Sequence, residues 1–296
     1  MNACPNLLTF VLLVQIILFS TSITISAEVT GDDKKQSILE IIPEYYLDID
    51  VRWMALPKNK YFWERYFFEN NFTTEFALFS VKKNFLTFFQ FEENSGMGRS
   101  FEGVVFDPRD INYAVNPVLE YRLPFRINIQ TGLDHRCFHE IDRQETPTVY
   151  WNKPFISVFS ANTRTTEMRK QMTASSISVI DRLAWSAGWG HFIRSFYGLV
   201  DPITMMSYDP GYYNDFIIKA RYVFYNYRSV LFSVNDLTWL CQSRNKHLYW
   251  SQVTGADCDY RAKGFGARIF VTYIRDYLPL RMSKDRLLQI GLSFYK

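Results

Sequence analysis

Residues Phe125-Arg-Ile-Asn-Ile-Gln-Thr-Gly-Leu-Asp-His-Arg-Cys-Phe-His139 decide how the rest of the chain is read. They have the pattern of one long β-strand. Counting by twos, Ile127, Ile129, Thr131, Leu133, His135, Cys137 and His139 share one face. Asn128, Gln130, Gly132, Asp134 and Arg136 share the other. Side chains alternate across a strand, so a potential base and a potential nucleophile lie on the apolar face. Against a protein core they would be buried polar groups. Against lipid they would be reactive groups at a membrane surface.

The rest of the sequence bears on that choice. The chain opens with an apolar run, Leu7–Ser20, then small and polar residues up to Ala27, with Glu28 the first charge. This is the layout of a secretory signal peptide over residues 1–27, cleaved after Ala27. An uncleaved anchor is the alternative. Either way residues 28–296 leave the cytoplasm, and their length suits a single domain. That part holds no second apolar run long enough for a transmembrane helix. Yet the chain carries 26 Phe, 19 Tyr and 7 Trp, 18% of its residues. Transmembrane β-barrels use such rings as girdles at both membrane interfaces. A net charge of +3 is too small to argue for nucleic acid as a partner.

Alternating segments recur along the chain. In Tyr45–Trp53, Tyr45, Leu47, Ile49, Val51 and Trp53 oppose Tyr46, Asp48, Asp50 and Arg52. Similar patterns occupy 85–92, 115–123, 150–161, 176–187, 215–227, 229–240, 264–274 and 288–294. Their polar faces carry real charges, among them Glu120, Arg122, Lys219 and Arg221, as a wet or ion-paired lumen tolerates. The spacing predicts an all-β fold, an antiparallel transmembrane β-barrel of about 10–12 strands. A secreted all-β sandwich is the alternative. Between strands, Lys60–Asn70 reads as a short helix, 162–175 as a loop or helical turn, and 241–263 as a long loop. In an oxidising compartment Cys241 and Cys258 could close one disulfide loop, which would leave Cys137 the remaining thiol; three reduced cysteines are the alternative. His191 and His247 read as surface residues near loops.

Residues two apart on a strand sit side by side, so the His135 imidazole can reach the Cys137 thiol and make it a nucleophile. A third group must orient the base. Asn152, in Tyr150-Trp-Asn-Lys-Pro-Phe155, lies on the apolar face of the next strand and comes alongside His135 if the two strands pair. The loop between them is acidic and offers Glu140, Asp142 and Glu145 to a cation. His135, Cys137 and His139 also read as three metal ligands, but at about 7 Å spacing along a strand they are wide for one ion.

The pattern of a Gly, then His-x-nucleophile on a lipid-facing strand, an acidic loop, and Trp-Asn opening the next strand resembles outer-membrane phospholipase A. Members of that family carry His-x-Ser-Asn-Gly and a later Asn. Here the motif reads His135-Arg-Cys137-Phe138-His139, with Cys for Ser and Phe-His for Asn-Gly. The final strand, ending Leu292-Ser-Phe-Tyr-Lys296, is similar to the terminal strand of bacterial outer-membrane proteins. The resemblance implies a bacterial outer-membrane barrel with membrane lipids as its partners. It implies His135 as base, Cys137 as nucleophile and Asn152 as orienting group in hydrolysis of phospholipid acyl esters. It also implies calcium as cofactor and a homodimer. A barrel that has lost the chemistry, structural or a narrow pore, is the competing expectation.

Overall fold

The computed structural model describes residues 39–41, 45–56, 67–81, 84–99, 106–123, 126–141, 148–160, 182–193, 207–208, 211–262, 265–276 and 285–296. The expected signal segment, 1–27, and Asp142 and Glu145 lie outside them, as does the side chain of Glu140. Among the described residues no helix is long and apolar enough to cross a membrane.

Fourteen strands follow one another: β1 (Leu39–Ile41), β2 (Tyr45–Leu56), β3 (Phe68–Val81), β4 (Phe85–Arg99), β5 (Phe106–Arg122), β6 (Ile127–Glu140), β7 (Thr148–Ser160), β8 (Leu183–His191), β9 (Ser207–Tyr208), β10 (Tyr212–Tyr227), β11 (Val230–Ser243), β12 (Leu248–Ala262), β13 (Phe265–Asp276) and β14 (Leu287–Tyr295). Twelve of them pair antiparallel with their chain neighbours, and β2 pairs with β14, so the sheet closes into a barrel. β1 continues β2 along β3, and β9 adds a short parallel pairing to β7. Closure removes every long free edge, which a membrane demands because lipid offers no hydrogen bonds.

The two faces follow the alternation in the sequence. Inward positions carry ion pairs along the lumen wall. Arg136 meets Glu92 at 2.7 Å, Arg221 meets Asp257 at 2.7 Å, and Arg52 meets Asp50 at 2.6 Å. Lys153 joins Asp215 at 2.7 Å and Asp134 at 3.4 Å. Glu120, fully buried, accepts from Gln130 at 3.0 Å. Toward the end remote from Lys296, Trp151, Phe192, Tyr212, Trp239 and Tyr249 pack around Cys241. Below this aromatic cluster a cavity of about 720 Å³ remains, lined by charged side chains of both signs. Outward positions are apolar: Phe76, Ile156, Phe216, Ile218, Phe224, Ile269 and Ile290 are all exposed. In a soluble protein such a wall would be an unpaid exposure, but against hydrocarbon it is solvated.

Two expectations fail. The stretch 241–263 is not a long loop. A tight turn over 244–247 leads into β12, fifteen residues long. Its inward face carries Asp257, Asp259 and Arg261 and its outward face Gln252 and Thr254, so the apolar alternation that marks a strand is hidden. Likewise Phe68–Asn70, expected to end a helix, opens β3; the remainder of that segment, up to residue 66, lies outside the described residues. None of the three described cysteines is in a disulfide. Cys241 pairs in register with Tyr249 and Cys258 with Phe232, nine residues further along the same ladder, so no disulfide can join them.

Candidate functional site

The β6–β7 ladder sets His135 directly opposite Asn152, and Arg136, which shares β6 with His135, points into the lumen to Glu92. His135 and Asn152 therefore both face outward. His135 Nδ1 and Asn152 Oδ1 lie 2.8 Å apart. The amide oxygen can only accept, so Nδ1 carries the proton and donates. That tautomer leaves Nε2 as an acceptor, the state a general base requires.

Cys137 also faces outward, yet it is only 1% exposed. The imidazole that meets its sulfur is that of His139: Sγ and His139 Nε2 are 2.8 Å apart. The expected partner, His135, is turned to Asn152. His139 is held in turn by Tyr113, which stacks on it with ring centroids 5.7 Å apart and brings its hydroxyl to 3.3 Å from Nε2. Tyr113 reaches this position because β5 pairs with β6 in a register that sets Tyr113 opposite Cys137. The sequence held no local signal for Tyr113, since its role depends on cross-strand register. Next in the same row lies Glu93, opposite Tyr113 on β4 and bonded to Ser95 at 3.0 Å.

A second pair of the same kind stands two strands away. His191 on β8 lies opposite Asn214 on β10, with Nδ1 and Oδ1 2.9 Å apart. Trp189 stacks on His191, and Tyr213 meets it edge-on with centroids at 4.9 Å. His191 is thus a strand residue with a fixed tautomer. His247 lies in the turn after β11 and is exposed.

Chemically, the β5–β7 wall assembles a thiol against an imidazole, a second imidazole oriented by an amide, and a phenol. These donors are nitrogen, sulfur and phenolic oxygen. Calcium takes carboxylate and carbonyl oxygens, so this set does not fit calcium; the acidic loop expected to hold it falls on Asp142, Glu145 and the side chain of Glu140, outside the described residues. Among the described residues no three His, Cys, Asp or Glu side chains converge as a metal site.

No protein-family model matches the chain, and no curated protein matches it. Solved structures do. The outer membrane phospholipase A from Escherichia coli is 12% identical over 86% of this chain and 93% of its own, with a TM-score of 0.50. The Salmonella typhi outer membrane phospholipase dimer with bound calcium is 12% identical over 89% of this chain and 94% of its own, at 0.48. The NanC porin is 10% identical over 84% and 98%, at 0.44. At these identities the likeness speaks for fold alone, and the fold of this chain is the closed twelve-stranded antiparallel barrel of outer-membrane proteins.

Proposed function

We propose that the chain is a bacterial outer-membrane barrel that hydrolyses acyl esters of membrane lipids at its β5–β7 wall. The observation that carries this is the 2.8 Å bond between His135 Nδ1 and Asn152 Oδ1 on the lipid-facing surface, beside a thiol already in contact with an imidazole. A base oriented by an amide has little structural purpose there, because a polar pair facing lipid costs stability.

The steps balance as follows. The Cys137 thiol gives its proton to His139 Nε2, and the thiolate attacks the ester carbonyl carbon. The bond to the lipid alcohol breaks, and the departing alkoxide takes the proton from the imidazolium. Water then attacks the acyl thioester and gives a proton to His135 Nε2. The C–S bond breaks, the thiolate recovers that proton, and a fatty acid leaves. The ester reaches the sulfur by displacing the ring of Tyr113, which lies opposite Cys137 and stacks on His139, while His139 stays at the thiol.

The test is fatty-acid release from phospholipid vesicles holding the refolded barrel, wild type against Cys137→Ala, with calcium and with chelator. Release that falls to background in Cys137→Ala supports the proposal. Equal rates from both proteins would rule out this nucleophile. A second reading, a closed barrel without chemistry, is favoured by the near-complete burial of Cys137. It predicts no release from the wild type. The lumen ion pairs and the aromatic cluster favour that closed form over a pore, and absence of steady conductance in planar bilayers checks the distinction.

A further inference from the structure

Each residue of the two outward His–Asn pairs has a chain neighbour at one inward ion bridge. Asp134 precedes His135, Lys153 follows Asn152, Gly190 precedes His191 and Asp215 follows Asn214. On the inner face Lys153 Nζ lies 2.7 Å from Asp215 Oδ2 and 3.4 Å from Asp134 Oδ2. All three charged residues are buried. β8 lies between β7 and β10 in the sheet, so the Lys153 side chain reaches Asp215 by crossing β8.

The crossing point is Gly190, which the ladder sets opposite Asp215. A Cβ there would come within 2.6 Å of Lys153 Cδ and 2.5 Å of Asp215 Oδ1. The Lys153 stem and the Asp215 carboxylate thus fill the volume that a side chain at 190 would need. A glycine inside a strand often marks such a close approach. Both ends of the bridge are held. Trp239 Nε1 donates to Asp215 Oδ2 at 2.8 Å, and Lys153 Nζ stands 5.5 Å from the centroid of the Phe192 ring.

The bridge falls where the backbone ladder between β7 and β8 is interrupted. Continuous pairing ends at Phe155, opposite Gly190. Among the described residues it resumes at Asn152, whose carbonyl accepts from the Ile193 N–H at 3.0 Å. Pro154 stands in the gap and has no N–H to give. Asn152 therefore rides on a weakly laddered segment, yet its amide oxygen stands 2.8 Å from His135 Nδ1. The adjacent Lys153 ties that segment to β10 through Asp215 and to β6 through Asp134.

We propose that Gly190 is a positioning residue of the candidate site. By leaving room for the Lys153–Asp215 bridge it holds Asn152 against His135, and so maintains the tautomer a base needs. The catalytic meaning of this role rests on the ester-hydrolysis reading, but the positioning is measurable without activity.

The experiment uses the full refolded chain in micelles with isotopically labelled histidine. Nitrogen–proton correlation spectra read the His135 tautomer, assigned against His135→Gln, and vesicle assays read kcat and KM for fatty-acid release. Gly190→Ala crowds the bridge, and Asp215→Ala removes it without adding volume. Gly188→Ala is the control, one inward position away on β8, where a Cβ would meet Ser157 Cβ at 3.1 Å instead. In the wild type and Gly188→Ala the His135 proton should sit on Nδ1 alone. In Gly190→Ala and Asp215→Ala the tautomers should mix, and kcat should fall about tenfold to a hundredfold, as small misplacements of catalytic groups produce, with KM near the wild-type value. If Gly190→Ala fails to fold, Asp215→Ala decides. An unmixed Nδ1 tautomer in a folded Gly190→Ala or Asp215→Ala barrel, or equal mixing in Gly188→Ala, would overturn the proposal. Absence of release from the wild type would sink the ester-hydrolysis reading alone, and the tautomer would still decide whether Gly190 positions Asn152.

Discussion

Asn152 Oδ1 sits 2.8 Å from His135 Nδ1 across directly opposed positions of two neighbouring strands. The bond fixes the imidazole's tautomer and its tilt. Asn152→Ala removes both without touching the sulfur. Fatty-acid release should fall by about a hundredfold or more, in the range that general-base catalysis contributes. Asn152→Asp, which still accepts at the same position, should retain more activity than Asn152→Ala. Vesicle assays of the two variants at equal folded fraction check the order.

The contact between Cys137 and His139 predicts the thiol's chemistry directly. A neighbouring base raises the thiolate fraction, while burial excludes bulky reagents. Iodoacetamide should label the folded wild type at Cys137, and a polyethylene-glycol maleimide should not. His139→Leu should slow iodoacetamide labelling at least several-fold at neutral pH. Mass spectrometry of the labelled chain distinguishes Cys137 from Cys241 and Cys258. Equal labelling rates in both proteins would show that His139 does not activate the sulfur.

In the lumen, Lys153 lies between Asp215 at 2.7 Å and Asp134 at 3.4 Å, and all three are buried. Removing only the cation leaves buried Asp215 without its ion pair, while Asp134 keeps Arg136 at 3.5 Å. Lys153→Met should therefore destabilise the barrel by about 3–5 kcal/mol, read from urea unfolding in micelles. Adding Asp215→Asn to Lys153→Met should recover part of that loss, because the buried charge left without a cation is gone.

Gly266 lies opposite Tyr295 on the β13–β14 ladder, and the Tyr295 ring covers the glycine. A Cβ at 266 would collide with the Tyr295 ring. Gly266→Ala should cost about 1–3 kcal/mol as overpacking and shift the unfolding midpoint accordingly. Tyr295→Phe keeps the ring but removes its hydroxyl bond to buried Asp259, and should cost on the order of 1–3 kcal/mol. In Tyr295→Ala the penalty of Gly266→Ala should largely vanish, which a double-mutant cycle measures.

Much of the barrel was legible where outward residues were apolar. Tyr45–Trp53, 127–139 and the final strand alternate cleanly, and each is a strand in the structure. β12 was hidden because its outward face bears Gln252 and Thr254, so the signal failed where the wall departs from ordinary lipid contact. At the site, the His135–Asn152 pairing could be read because a short loop forces β6 and β7 to be neighbours. The partner of Cys137 could not, since His135 and His139 are both two residues away and the periodicity treats them alike. Tyr113 and the His191–Asn214 pair depend on register between strands, which a single sequence does not specify.

The seam between β2 and β14 carries a kinetic consequence. Leu47 and Lys296 exchange both backbone hydrogen bonds, and Ser293 donates to Asp48 across a separation of 245 residues. The first full strand of the wall thus waits for the last, and no partial product of translation can shut the ring. Until β14 arrives, the edges of β2 and β13 stay open to any extended chain nearby. The interval between synthesis and closure is therefore when this protein most depends on being kept apart from others.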